Sequence, residues 1–65
     1  MRALRFYFCD DQGRIVRAQN LACDDDEAKG LAADFLARFD DRIDMVEVWR
    51  ARHLLHRVAR HDPSG

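Results

Sequence analysis

The sequence predicts a two-layer α+β domain, and three observations carry that expectation. Ala3 to Cys9 is an aromatic-rich stretch that alternates with a period of two, enters an Asp/Gly turn and returns as a second extended stretch. An apolar stripe at helical spacing starts behind an acidic cap at Asp24. A run of strand formers, Met45 to Trp49, follows the helix. One helix covers one face of a sheet, so this order of elements reads as two layers.

In the first strand Leu4, Phe6 and Phe8 share one side, and Ala3, Arg5, Tyr7 and Cys9 share the other. Asp10-Asp11-Gln12-Gly13 has turn chemistry: aspartates suit the early positions and Gly13 the positive φ of a bulged loop. Arg14 to Leu21 returns as the second strand. If Asp10 faces Arg14, a regular register sets Phe8 against Val16 and Phe6 against Ala18. Cys9 then meets Ile15, and Tyr7 meets Arg17, on the reverse side.

Residues 24–39 predict the helix. Asp24 caps the first turn, Glu27 closes a capping box, and Asp25 and Asp26 complement the helix dipole. Ala28, Leu31, Ala32, Phe35, Leu36 and Phe39 form one stripe. Gly30 weakens the helix slightly. Asp40-Asp41-Arg42 ends it without the usual glycine. After Met45–Trp49 the pattern divides. Ala51, Leu54, Leu55, Val58 and Ala59 fit a C-terminal helix, giving ββαβα. The same residues also fit a turn near Arg50–His53 and a strand over 54–58.

Phe6-Tyr7-Phe8 before an Asp/Gly turn, Cys23-Asp24-Asp25-Asp26-Glu27-Ala28 opening a helix, and Val46-Glu47-Val48-Trp49 before Arg52-His53-Leu54-Leu55 carry a resemblance. Nearly the whole chain resembles a group of short bacterial stand-alone proteins with no known activity. Their usual ending is Met-Glu-Leu-Trp, a polar glycine turn, then Arg-Leu-Val. The resemblance implies that residues 54–58 return as a strand, giving ββαββ. Ala51 stands where that turn usually has glycine.

Composition sets the outer bounds. At 48% hydrophobic and 35% charged, the 65 residues are globular in type, neither disordered nor low in complexity. One domain is expected over residues 1–60, with a loose tail at 61–65. Such a chain buries only about 60% of its unfolded surface, so oligomerisation is expected to support its core. No apolar run approaches the roughly 20 residues of a bilayer span, and Met1–Arg5 leads into no secretory apolar stretch. Cys9 and Cys23 are too few for a disulfide scaffold, so a reduced cytoplasmic chain is expected.

The alternation predicts strand order 2-1-3-4, with the helix stripe on Leu4, Phe6, Phe8, Val16, Ala18, Val46 and Val48. The opposite face is then bare and carries Arg5, Tyr7, Cys9, Ile15, Arg17, Glu47, Trp49 and Leu54. Aromatics framed by arginine are interface anchors, which points to a homodimer or a protein partner on this face. Charge is segregated: net +2 over 1–23, −6 over 24–47 and +3 over 48–65. A basic, aromatic sheet face also suits stacking of single-stranded nucleic acid. An acidic helix with Asp26, Asp34, Asp40 and Asp41 suits an inhibitor of a basic partner.

Chemical sites are not expected. Asp24–Glu27 lacks the alternating ligands and central glycine of a calcium loop, and helix capping accounts for it. His53, His56 and His61 match no zinc spacing with Cys9 and Cys23, and on a regular strand His53 and His56 face apart. Ser64 is the single serine, threonine is absent, and no phosphate-binding glycine loop occurs. Neither catalysis nor a metal or cofactor is therefore expected, and a small binding or regulatory module is.

Overall fold

The computed structural model describes residues 2–38 and 42–60. The expected tail at 61–65, the last residue of the expected helix, Phe39, and Asp40 and Asp41 lie outside the described residues. Strands β1 (Arg2–Cys9) and β2 (Ile15–Cys23) are followed by helix α1 (Asp25–Arg38), then β3 (Met45–Arg50) and β4 (His53–Ala59). The four strands form one antiparallel sheet in the order β2-β1-β3-β4. This is the expected ββαββ arrangement; residues 53–59 are a strand, which excludes the ββαβα alternative.

The first hairpin closes as its turn residues dictate. Asp10 Oδ1 accepts from the N–H groups of Gln12 and Arg14, each at 2.9 Å, and the backbone N–H of Asp10 donates to the Arg14 carbonyl. Gly13 takes φ +79°, the left-handed region that favours glycine. Cys9 meets Ile15 as expected, but the strand then bulges. Val16 is the extra residue, and Arg17 pairs with Phe8, Ala18 with Tyr7 and Gln19 with Phe6. The expected core positions of Val16 and Ala18 and the expected open-face position of Arg17 are therefore corrected. Val16 is 53% exposed, Ala18 faces away from the helix, and Arg17 lies on the helix side of the edge strand.

The shift favours the far end of β2, where it seats Leu21 and Cys23 on the core, although it turns Arg17 and Gln19 to the helix side nearer the turn. An unbulged register would set Asn20 opposite buried Leu4. The bulge sets Leu21 there instead and turns Cys23 into the core. The same device operates in β4, where Leu54 and Leu55 together oppose Trp49. Without that extra residue Arg57 would oppose Val46 in the core. With it, Val58 does, and Arg57 meets Glu47 on the other side. The bulge also brings His53 and His56 into register with Arg50 and Val48 on one face, correcting the expectation that they face apart.

The core holds Leu4, Phe6, Phe8, Val46 and Val48 from the sheet, with Ala28, Ala32 and Leu36 from α1. Cys23 and Ile43 complete it. Alanines in the helix stripe let α1 approach β3 and β4 closely. Phe35 reaches over β1, edge-on to Phe6 (5.7 Å between ring centroids) and tilted against Phe8 (5.4 Å).

Both helix ends are fastened to the second hairpin. At the start, the Asp24 carbonyl accepts the first helical bond from Ala28 N–H, and Glu27 Oε1 accepts from Asp24 N–H at 3.3 Å. This is the Glu27 half of the expected capping box. Arg50 donates to Asp25 Oδ2 (3.0 Å) and His56 Nε2–H to the Asp25 carbonyl (2.9 Å). At the far end Arg60 donates to the Leu36 carbonyl (2.6 Å) and, through two nitrogens, to the Ile43 carbonyl (3.0 and 2.9 Å). A guanidinium thus takes the place of a C-terminal glycine: it fills an orphan helix carbonyl and offsets the negative dipole end.

Three substitutions test this account by thermal or denaturant unfolding. Arg60→Ala removes charge-assisted bonds to two carbonyls and should cost about 1.5–3 kcal/mol. Ala51 has φ +54° at the first of two loop residues, where two-residue hairpins favour glycine. Ala51→Gly should therefore stabilise, by roughly 0.5–1 kcal/mol after the entropy of the unfolded chain is counted. A Cβ at Gly30 meets nothing within 4 Å, so Gly30→Ala should add about 0.5–1 kcal/mol of helix propensity.

Candidate functional site: the open sheet face

Helix α1 covers one face of the sheet, and the register assembles the other into rows. Ile15, Cys9, Met45 and Ala59 form the first. Ala18, Tyr7, Glu47 and Arg57 form the second, and Asn20, Arg5, Trp49 and Leu54 the third. Six of the seven expected interface residues, Arg5, Tyr7, Cys9, Ile15, Trp49 and Leu54, come together here. Arg17 does not, because the β2 bulge carries it to the opposite face.

The face is apolar at two corners and polar in the middle. Ile15 is 57% exposed and Leu54 39%, at diagonally opposite ends of the grid. Tyr7 and Trp49 are half-buried, and with Ile15, Glu47 and Ala51 they line a shallow depression of 340 Å³. Trp49 Nε1 donates to Glu47 Oε1 (3.1 Å). Arg57 donates to Glu47 Oε2 through Nε (3.0 Å) and Nη2 (2.9 Å). Arg5 donates to Asn20 Oδ1 (3.0 Å), with its guanidinium carbon 5.9 Å from the Tyr7 ring centroid.

These bonds revise the expected basic character of the sheet layer. Arg57 is neutralised by Glu47. Arg50 and Arg60 are turned to the helix side and hold its ends, and Arg17 has left the face. Arg5 is the guanidinium on the grid without a carboxylate in these pairings. Of the expected acidic helix set, Asp26 and Asp34 are exposed on α1, and Asp40 and Asp41 lie outside the described residues.

The Glu47–Arg57 pair is the part of the site that the sequence does not announce. Alternation puts Glu47 on the open face. Its pairing with Arg57 depends on a bulge that no turn residue announces. Among the described residues, no three His, Cys, Asp or Glu side chains gather where a metal ion could be held, and no helix is long and apolar enough to cross a membrane.

Cys9 is buried although no second layer covers it, and Cys23 is buried in the core. They sit at opposite ends of β1 and β2, with Cys23 paired to Arg2, on the order of 20 Å apart. That separation forbids an intramolecular disulfide. Burial pushes both thiols above their ordinary range. The carboxylates of Glu47 and Asp10 raise Cys9 further, while Arg57 lowers it; Glu27, Asp24 and Asp25 raise Cys23 further.

Two consequences are measurable. At neutral pH both thiols should react with a thiol reagent far more slowly in the native protein than in denaturant. The native state also holds these protons more tightly than the unfolded chain. Their contribution to stability is therefore complete below the unfolded thiol pKa and is lost as pH rises through the raised native values. The unfolding midpoint should fall across that alkaline range, and the Cys9→Ala/Cys23→Ala variant should flatten the fall.

In comparisons with known proteins, no family model, no curated protein and no solved structure matches this chain, so its functional reading rests on the geometry of the open face.

Proposed function

We propose that this protein is a small non-enzymatic binding module whose open sheet face associates with a second copy of itself. The observation that carries the reading is one uncovered face on which Ile15 and Leu54 stand exposed while Tyr7 and Trp49 lie half-buried between them. Aromatic anchors beside a charge-balanced polar centre, with exposed aliphatic residues at the corners, are a make-up suited to an interface.

Charge and size both favour a second copy as the occupant. A two-fold interface brings the same patch against itself, so strong like charge is excluded. Here Glu47 and Arg57 cancel within one chain, leaving Arg5 near the edge of the aromatic pair. Four strands of about six residues present roughly 19 by 20 Å, near 400 Å² in projection. Side-chain relief adds accessible area, bringing the face towards the roughly 600 Å² per partner at the small end of stable interfaces. The alternative occupant, single-stranded nucleic acid, needs a run of cations along the face. The pairing of Arg57 and the loss of Arg17 remove two of them.

Sedimentation equilibrium tests the reading. The wild-type chain should sediment as a dimer at micromolar concentrations. Ile15→Glu and Leu54→Glu alter exposed positions, should leave the melting temperature nearly unchanged, and should weaken association at least about tenfold. A wild-type monomer up to high concentration overturns the proposal. Salt-sensitive binding of a single-stranded oligonucleotide by that monomer would put the stacking platform in its place.

A further inference from the structure

Glu47 lies at the middle of the open face, flanked in its row by Tyr7 on β1 and Arg57 on β4. Its side chain is 15% exposed, although this face has no covering layer. Both carboxylate oxygens are engaged, one by the Trp49 indole and the other by the Arg57 guanidinium. Folding does not require a carboxylate here, because the hydrophobic core lies on the opposite side of β3. What Glu47 does is local. It holds the indole of the largest aromatic side chain, and it cancels a cation at the centre of the face between Tyr7 and Trp49.

We infer that Glu47 is the specificity-determining residue of this face, selecting a charge-balanced apolar partner, a second copy of the chain, over a polyanion. The inference rests on the association reading above and goes further by assigning the selection to one side chain. A neutralised Arg57 can be covered by a partner without leaving an unpaired buried charge. The same pairing withholds from a phosphate backbone the cation it would need beside the aromatic pair on which bases would otherwise stack. Without it, the face becomes Arg5, Arg57, Tyr7 and Trp49, a composition suited to single strands.

The variant that separates these roles is Glu47→Gln. It keeps the size of the side chain and an oxygen for the Trp49 N–H, and it leaves Arg57 without a counter-charge. Sedimentation equilibrium should show dimer dissociation strengthened at least about tenfold relative to wild type. Glu47→Gln/Arg57→Gln, uncharged again at the centre, should return to within about threefold of wild type if charge balance is the selecting property. A fluorescein-labelled single-stranded oligonucleotide at low salt should bind Glu47→Gln more tightly than wild type, with an affinity that falls as salt is added. Equal dimerisation of wild type and Glu47→Gln overturns the inference while leaving the association reading intact. If wild type is monomeric, the association reading fails by itself, and the oligonucleotide arm decides: no gain in binding by Glu47→Gln overturns the selective role as well.

Discussion

The fold depends on how fourteen helical residues, about 21 Å of helix, are pressed onto one side of four strands. Ala28, Ala32 and Leu36 supply the contact, and the small side chains bring the helix axis close to Val46 and Val48. Phe35 then spans the gap to β1. Closeness of this kind favours apolar side chains directly beneath the helix, while Arg17, Gln19, Arg50, His53 and His56 take the outlying positions on the same side of the sheet. The two bulges bring Leu21, Cys23 and Val58 to the helix side and send Asn20 and Arg57 to the far one. Among the described residues, no buried side-chain nitrogen or oxygen is left without a partner.

Charge follows the same plan. The chain looks polarised along its length, acidic through the helix and basic after it, and such segregation invites thoughts of an external partner. Part of it is used inside the molecule. Arg50 meets Asp25, Arg60 meets the carbonyls at the helix end and in the loop beyond it, and Arg57 meets Glu47. Exposed ion pairs such as Arg50–Asp25 contribute little stability individually. Their value here is positional, since they and His56 fix where the helix begins over the second hairpin.

Much of this was legible in the residues. The Asp10–Gly13 turn, the helix start at Asp24 with Glu27 reaching back to it, the apolar stripe and the strand order follow from turn chemistry, periodicity and crossover handedness, and the described residues have each of them. Strand faces near the turns were not legible. A period of two is blind to an inserted residue, so it puts Val16, Ala18 and Arg17 on the wrong sides of β2. For β4 the amphipathic pattern Ala51, Leu54, Leu55, Val58 imitates a helix because the bulge at Leu54–Leu55 breaks alternation. The turn there is made by Ala51 at positive φ, a position where alanine gives no signal. Arg60 was invisible for a different reason: a guanidinium that caps a distant helix through space leaves no mark in local sequence. The open face was legible to the extent that alternation held, which is why Tyr7, Cys9, Glu47 and Trp49 were placed correctly.

The position of the bulges has a consequence for how copies of this chain can stack. Both sit on the outermost strands, β2 and β4, near the turns that open them. Unpaired backbone on a flat outer strand is a template for ribbon growth, and a local kink with an added twist spoils the match that a neighbouring chain would need. Growth sideways into an endless sheet is thereby discouraged, while stacking through the flat middle stays open. An assembly built that way closes at two members, because the helices then form its outer walls.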